Sequence, residues 1–131
     1  MLRQGLQLEN AVKNAYVFRP GMKVYVSGKM RGVHNYNRGQ FDRWTRKLKE
    51  LGFDVVNPMD IGDSIATPEE IDASPELVER VMAADIADLL KCDAIFMLRG
   101  WETSEGARRE LKVALEMNIP VMQEITCGIG E

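Results

Sequence analysis

The amino-acid sequence predicts an α/β domain built on a doubly wound parallel sheet with four main strands. Short apolar runs alternate with longer segments in which apolar residues recur at helical spacing, in the order β-α-β-α-β-α-β. The run from Ala94 to Leu98 is apolar throughout, as strands covered by helices on both faces are. Right-handed crossovers, with a reversal of winding at the first strand, give the strand order 2-1-3-4.

Length, net charge and residue composition exclude several classes of protein. The chain has 131 residues, which is enough for one domain with a substantial core. Its net charge of −3 gives no electrostatic basis for binding a nucleic-acid polymer or an anionic membrane. No apolar run is long enough to span a bilayer and no signal-peptide pattern is present, so we expect a cytoplasmic protein. Cys92 and Cys127 lack metal-ligand spacing and are expected to be reduced thiols, and the single His34 excludes a multi-histidine metal site.

Residues 1–21 are interpreted as an N-terminal arm, because a clear pattern begins only in the domain assigned to residues 22–131. A short helix within the arm is indicated by the spacing of Leu8, Val12 and Tyr16. Two interpretations of the arm stay open. In one the arm packs on a partner subunit, and in the other it is disordered.

The first strand, Lys23 to Ser27, is followed by the loop Gly28-Lys29-Met30-Arg31-Gly32. A glycine directly after a strand lets backbone amides approach a ligand closely, and Lys29 and Arg31 can meet a phosphate. The loop does not have the glycine pattern of a dinucleotide-binding turn. It is therefore either a phosphate cradle or a plain strand-to-helix turn.

A helix from about Tyr36 to Leu51 is predicted next, ended by Gly52, and a second strand spans Phe53 to Val56. The core stripe of this helix comprises Phe41, Trp44, Leu48 and Leu51. His34 lies in the polar loop before the helix and is expected at the surface.

Residues 57–75 are predicted to form a long connection without regular structure, of the kind that often acts as a lid or a binding loop. The alternative is a surface excursion with a helical turn near Pro68-Glu69-Glu70. Ser74 and Pro75 then provide the N-cap and first residue of the next helix.

Two predicted helices each place one carboxylate on the face that should meet the core. In the helix from about Glu76 to Lys91, Asp85 lies within an apolar face formed by Leu77, Val78, Val81, Met82, Ile86 and Leu89. In the helix from about Ser104 to Asn118, Glu110 interrupts an apolar arc formed by Ala107, Leu111, Ala114, Leu115 and Met117. A buried carboxylate is costly unless it is paired or opens into a cleft. The pair predicts an acid/base or nucleophile site, and the alternative is that both groups are satisfied structurally.

The predicted topology also indicates where a ligand would bind. Ligands of doubly wound sheets bind beyond the carboxyl ends of the strands, where the winding reverses. Loops 28–32 and 99–104 lie at that edge together with the start of the Glu110 helix. We therefore expect Trp101 and Ser104 near the same crevice, with Trp101 either stacking on a base or packing over a helix.

Three motifs together resemble the nucleoside 2-deoxyribosyltransferase superfamily, over about Met22 to Met122. They are Tyr25-Val26-Ser27-Gly28-Lys29-Met30-Arg31-Gly32, then Asp85 with Asp93 eight residues on, then Ser104-x-Gly106-x-x-x-Glu110-x-x-x-Ala114. The chain is most similar to short, phage-type members of unassigned function, and is also similar to the deoxynucleoside 5′-monophosphate N-glycosidase branch. The resemblance implies a flavodoxin-like (Rossmann-like) sheet and a site commonly shared between subunits, and hence a homo-oligomer.

The resemblance also implies roles for individual residues. Glu110 would be the nucleophile, Asp85 would assist the departing base, Tyr25 would position the nucleophile, and Ser104 would contact a phosphate. The sequence departs from many members at Lys112, where they have glycine, although the helical pattern directs Lys112 outward. It also has little chain after the fourth strand, where larger members have a further strand and a segment that completes the pocket.

These observations favour an enzyme that cleaves the N-glycosidic bond of a 2′-deoxynucleoside or its 5′-monophosphate, by hydrolysis or transfer, with no metal and no cofactor. Its expected partner is a small-molecule nucleotide or nucleoside, contacted by Gly28, Lys29, Arg31, Gly32, Trp101, Ser104 and Gly106. One alternative is a non-catalytic nucleotide-binding or sensing module with the same pocket. Another is a structural or interaction protein in which Asp85 and Glu110 are satisfied core residues.

Overall fold

The computed structural model describes residues 6–7 and 18–124, which form a single α/β unit. The strands are β1 (Leu6–Gln7), β2 (Lys23–Ser27), β3 (Asp54–Val56), β4 (Ala94–Met97) and β5 (Val121–Glu124). The α-helices are α1 (Arg38–Glu50), α2 (Pro58–Asp63), α3 (Pro68–Asp72), α4 (Pro75–Leu89) and α5 (Glu105–Glu116). Short 3-10 turns occur at His34–Asn37 and Trp101–Thr103.

The sheet has the order β1-β5-β4-β2-β3, and β2 to β5 are mutually parallel. The predicted order 2-1-3-4 of the four main strands is therefore confirmed, and the arrangement is flavodoxin-like. The short β1 pairs antiparallel with β5, through Leu6 opposite Glu124 and Gln7 opposite Gln123. Two residues are too few to produce an alternating pattern, so this edge strand was not predicted. The helix predicted around Leu8, Val12 and Tyr16 lies outside the described residues.

Helices cover both faces of the sheet, and side-chain alternation along the strands assigns each residue to one face. One core packs α1 against β2 and β4, with Val24, Val26 and Phe96 meeting Phe41 and Trp44. The opposite core packs α4 and α5 on the same strands and comprises Tyr25, Leu89, Cys92, Ile95, Met97, Ala107 and Ala114. The central strand β2 therefore sends Tyr25 toward α4 and α5, which carry the two carboxylates.

Helix α1 begins two residues later than predicted, because Asn35, Tyr36 and Asn37 all have positive φ. Its end agrees with the prediction. Gly52 has φ +99°, and the N–H of Phe53 donates to the carbonyl of Leu48 at 3.1 Å, which closes the helix as a Schellman motif.

Three residues predicted in core stripes are exposed: Leu51 by 54%, Leu115 by 60% and Met117 by 58%. Leu51 and Met117 are C-cap residues, where each helix already leaves the sheet. On α5 the buried residues are Ala107, Glu110 and Ala114. The small alanines let the helix lie close to the sheet, so its contact stripe is narrower than the predicted arc and Leu115 falls outside it.

Residues 57–75 are not structureless, so the prediction of an irregular connection is wrong and the helical turn near Pro68 is correct. Asn57 caps α2 by accepting a hydrogen bond from the N–H of Met59. Thr67 and Glu70 form a reciprocal capping box at the start of α3. Both helices have proline in the first turn, which is favourable there because its missing N–H would be unpaired in any case. Ser74 caps α4 and Pro75 begins it, as predicted.

Other sequence predictions concern individual side chains. His34 is exposed, as expected. Cys92 is a buried free thiol, and burial raises its pKa to about 11, which keeps it protonated and unreactive near neutral pH. Cys127 lies outside the described residues. Over residues 6–7 and 18–124, no helix has both the length and the apolarity that crossing a membrane requires.

Asp93 links the loop before β4 to the start of β2. Its Oδ2 accepts a hydrogen bond from the backbone N–H of Lys23 at 2.8 Å, and its own N–H donates to the carbonyl of Lys23 at 2.7 Å. The second aspartate of the motif that begins at Asp85 therefore supports the sheet and does not reach the site.

We expect Asp93→Ala to lower the free energy of unfolding by about 1 kcal/mol, because it removes an acceptor from a backbone N–H at a solvent-exposed position. Urea unfolding at neutral pH measures this change. Asp93→Asn keeps a side-chain oxygen and should recover most of the loss. Equal destabilisation by both substitutions would contradict a role based on this hydrogen bond.

Candidate active site

Glu110 is held by two hydroxyl groups that both project from β2. Its Oε2 accepts a hydrogen bond from Tyr25 Oη at 2.9 Å, and its Oε1 accepts one from Ser27 Oγ at 2.7 Å. Tyr25 and Ser27 are fully buried and Glu110 is only 5% exposed. Because the two donors are two residues apart on one strand, they lie on the same face and reach the same carboxylate.

Asp85 is equally buried but far less well satisfied. It is 5% exposed, and its Oδ1 is fully buried with no hydrogen-bond partner among the described residues. A buried polar atom without a partner costs free energy, so it usually indicates a ligand, a water or a functional role. Asp85 and Glu110 line the same cavity, from helices α4 and α5 respectively.

Burial shifts the pKa of both carboxyl groups upward. The pKa of Asp85 rises to about 8, mainly because it is desolvated and additionally because Glu110 is nearby. Burial raises the pKa of Glu110 to about 7, against the opposing effect of the Ser27 and Tyr25 hydrogen bonds. Burial and the charge of Glu110 raise the pKa of Tyr25 well above its usual range, so it remains a donor. The pair thus holds a proton near neutral pH, and Asp85 is the more favourable position for it.

The cavity above the two carboxyl groups has a volume of about 350 Å³, which is within the range of small-molecule sites. One part of its wall is apolar and comprises Met30, Pro58, Ile71, Val78, Val81 and Met82. The apolar face predicted for α4 is thus partly a cavity wall, which explains why Val78, Val81 and Met82 are only half-buried. The rest is polar and comprises Lys29, Arg31, Glu79, Thr103, Ser104, Glu105 and Arg109.

The polar groups around the cavity differ in how far they are already engaged. Lys29 Nζ donates to Thr103 Oγ1 at 3.0 Å, which joins the loop after β2 to the turn before α5. Ser104 caps α5 by accepting a hydrogen bond from the N–H of Ala107 at 3.1 Å, and its hydroxyl hydrogen is available to a ligand. Arg31, in contrast, is bridged to Asp72 of α3 at 3.0 Å between Nε and Oδ1.

Two glycines of the predicted site lie in close contact with neighbouring side chains, and the contact is the tighter one at Gly28. A Cβ at Gly28 would lie 2.9 Å from the Leu98 side chain, so the turn after β2 passes directly over the end of β4. A Cβ at Gly106 would lie 3.1 Å from Cε of Met82, so the first turn of α5 contacts α4 here. Both glycines line the cavity.

The structure brings together most of the residues singled out in the sequence. Around the cavity lie Asp85, Glu110, Gly28, Lys29, Arg31, Ser104 and Gly106, with Tyr25 behind Glu110. Gly32 and Trp101 are not in its lining. Gly32 is exposed with φ +79°, and Trp101 packs against the core beneath α4 and α5. Lys112 is exposed, as predicted, and does not line the cavity.

Sequence reasoning missed Ser27, Thr103 and Met82. Ser27 was detectable, because it is two residues from Tyr25 and therefore on the same strand face. Thr103 and Met82 carry no signal of their own, since their roles depend on where the β4–α5 turn and α4 pack. Among residues 6–7 and 18–124, no group of three or more His, Cys, Asp and Glu side chains is placed to hold a metal ion.

We expect Asp85→Asn to stabilise the protein increasingly as pH rises. The folded protein binds the Asp85 proton more tightly than the unfolded chain does, so Asp85 costs stability progressively from about pH 4 to about pH 8. The difference in unfolding free energy should grow by at most about 1.4 kcal/mol per pH unit over that range. Urea unfolding as a function of pH measures it. The exposed control Glu116→Gln should show no such trend, and parallel pH curves for wild type and Asp85→Asn would contradict the assignment.

Comparison with known proteins identifies a family but no characterised activity. Residues 22–123 match the model of a family described as a domain of unknown function (DUF4406). No curated protein matches the chain. The matched region contains the whole parallel sheet and every residue that lines the cavity, apart from the last residue of β5. Since the match covers most of the sequence, the chain belongs to the DUF4406 family.

Proposed function

We propose that the protein cleaves the N-glycosidic bond of a 2′-deoxynucleoside 5′-monophosphate or a 2′-deoxynucleoside, with Glu110 as the nucleophile. The observation that carries the proposal is the pair of buried carboxyl groups in one cavity. Glu110 is held by two hydroxyl donors, and Oδ1 of Asp85 has no hydrogen-bond partner within the described part of the chain. The sequence resemblance to nucleoside 2-deoxyribosyltransferases supports the same roles for these residues.

The chemistry requires the two carboxyl groups to be in different protonation states. Departure of a base from deoxyribose passes through an oxocarbenium-like state at C1′, which a nearby carboxylate stabilises or captures. Glu110 suits this role because Tyr25 and Ser27 donate to its two oxygens and stabilise the charged form. Over residues 6–7 and 18–124, Asp85 has no such donor at Oδ1, and it retains its proton to higher pH, so it suits the role of general acid.

The proposed reaction has two steps, and both take place at C1′ of the deoxyribose. The bond between C1′ and the base nitrogen breaks, its electron pair goes to the base, and the base takes the proton of Asp85. A bond forms between C1′ and a carboxylate oxygen of Glu110. Water or a second base then attacks C1′ and gives its proton to Asp85. The bond between C1′ and Glu110 breaks in this step, so Glu110 is again a carboxylate and Asp85 is again protonated. Hydrolysis and transfer differ only in this acceptor.

The lining of the cavity supports one orientation of the ligand. Lys29 and Ser104 provide donors for a 5′-phosphate at the N-terminus of α5, where the helix dipole also favours an anion, while the Thr103 hydroxyl already donates to the carbonyl of Gly100 at 3.3 Å. Met82, Val78 and Val81 provide apolar surface for the base on the opposite helix. Arg31 is partly engaged, because its Nε is bridged to Asp72, and only its other guanidinium N–H groups are left for a phosphate.

The proposal also covers cofactors, the binding partner, the cellular location and the oligomeric state. Neither step needs a metal or a cofactor. The negative net charge supports a small-molecule partner over a nucleic-acid polymer or a membrane. By analogy with the superfamily that the sequence resembles, we also propose a cytoplasmic homo-oligomer.

Base release is the direct test. We expect chromatography to detect free base from at least one of the four deoxynucleoside 5′-monophosphates or their nucleosides. Glu110→Ala should reduce this release by about a thousandfold or more, as removal of a covalent nucleophile does. Glu116→Ala, an exposed carboxylate on the same helix, serves as the matched control and should release base at the wild-type rate. Equal release by wild type and Glu110→Ala would refute the proposed nucleophile.

The sensing module with the same pocket makes a different prediction for this experiment. It requires saturable nucleotide binding by the wild type, no base release under any condition, and binding that tolerates Glu110→Gln. That combination would replace the enzyme proposal.

A bell-shaped pH dependence of kcat/KM is expected. Activity should rise through about pH 7 as Glu110 loses its proton, and fall above about pH 8 as Asp85 loses its own. Asp85→Asn cannot donate a proton, so its residual activity should lack the alkaline limb. An alkaline limb that persists in Asp85→Asn would show that another group is the acid.

A further inference from the structure

The turn before α1 has an unusual backbone. Asn35, Tyr36 and Asn37 are consecutive non-glycine residues with φ of 51°, 57° and 63°. This left-handed conformation costs an ordinary L-residue roughly 1–2 kcal/mol, although asparagine tolerates it better than most. Such a run persists only where surrounding contacts stabilise it, and it occurs preferentially near functional sites.

Asn37 is the N-cap residue of α1, but its side chain does not cap the helix. An N-cap asparagine ordinarily has an extended backbone, and its side-chain oxygen accepts a hydrogen bond from an N–H of the first turn. Here Nδ2 of Asn37 donates to the carbonyl of Lys29 at 2.9 Å and to Oε1 of Gln40 at 2.8 Å. The side chain therefore ties the loop after β2 to Gln40 of α1 and does not cap the N–H groups of the helix.

Lys29 is consequently held at both ends. The side chain of Asn37 donates a hydrogen bond to the backbone carbonyl of Lys29. The Nζ of Lys29 donates to Thr103 Oγ1 in the polar part of the cavity. Gln40 extends the network to the end of β5, where Nε2 donates to Glu124 Oε1 at 3.0 Å. The same Glu124 oxygen accepts from the N–H of Arg99 at 3.1 Å, so the loops after β2 and β4 are joined to the end of β5.

We propose that Asn37 is a positioning residue, which holds Lys29 where it binds the phosphate of the ligand and so sets the preference for monophosphate over nucleoside. This inference rests on the proposed function, which it extends to a residue outside the cavity lining. Lys29 is the cation whose Nζ contacts the turn before α5, whereas Arg31 is bridged through Nε to α3, so the position of Lys29 matters most for a phosphate at the N-terminus of α5.

The test uses inorganic phosphate as the probe and calorimetric titration at constant ionic strength. Asn37→Gly removes both side-chain hydrogen bonds, and glycine adopts the left-handed conformation without strain. Asn35→Gly is the matched control, because it relieves the same kind of strain two residues earlier and leaves the Lys29 contact in place. Thermal melts without phosphate check that both variants are folded.

Lys29→Ala should weaken phosphate binding roughly tenfold, the effect of losing one good charge-assisted contact. Asn37→Gly should weaken it about fivefold, and the double variant should bind no worse than Lys29→Ala, because Asn37 acts through Lys29. Asn35→Gly should match the wild type. For the proposed substrate, Asn37→Gly should raise KM for the monophosphate, with kcat and the nucleoside KM unchanged.

Three outcomes would overturn the inference. They are no phosphate binding by the wild type, equal weakening by Asn37→Gly and Asn35→Gly, and additive losses in the double variant. None of these measurements involves base release. Failure of the inference is therefore distinguishable from failure of the proposed function, which the Glu110→Ala comparison tests separately.

Discussion

Burial of two carboxyl groups in one cavity is the constraint on which the rest of the site depends. A lone carboxylate in an apolar interior is strongly disfavoured, and two are worse, because each charge opposes the other. The fold offsets the cost of burying Glu110 with two short hydroxyl hydrogen bonds from β2. Among the residues that the structure describes, none bonds Oδ1 of Asp85. Because of this asymmetry, Asp85 holds a proton more tightly than Glu110 does, although adjacent helices carry the two carboxyl groups.

The sequence was sufficient to predict the order of the main strands and the two inward carboxylates. The inward carboxylates follow from helical periodicity, which backbone geometry imposes directly on the residues, and the strand order follows from right-handed crossovers with a reversal of winding at the first strand. It was insufficient for residues 57–75, where short capped helices replace the predicted irregular connection. Helices this short have too few turns for a stripe, and their signals are local: Asn57 before a proline and the Thr67–Glu70 box.

Pairwise contacts between distant segments were also beyond sequence reasoning. The contact of Lys29 with Thr103 joins residues 74 positions apart, and the Arg31 pairing with Asp72 depends on where α3 packs. The loop after β2 was recognised as basic, but the sequence could not show that Lys29 contacts Thr103 in the turn before α5 while Arg31 is bridged to α3. For Trp101 the sequence left stacking on a base and packing over a helix both open, and in the structure the side chain packs against the core and does not line the cavity.

The alternation of β2 has a consequence for how this family can vary. Val24 and Val26 fill the core under α1, while Tyr25 and Ser27 serve Glu110 on the other face. Insertion or deletion of one residue in this strand would exchange the two sets, placing hydroxyls in an apolar core and valines against a carboxylate. Pairing with β3 and β4 on its two sides leaves β2 no room to slip. Length changes are therefore confined to the loops, and the spacing within Tyr25-Val26-Ser27-Gly28 should be invariant wherever this chemistry is retained.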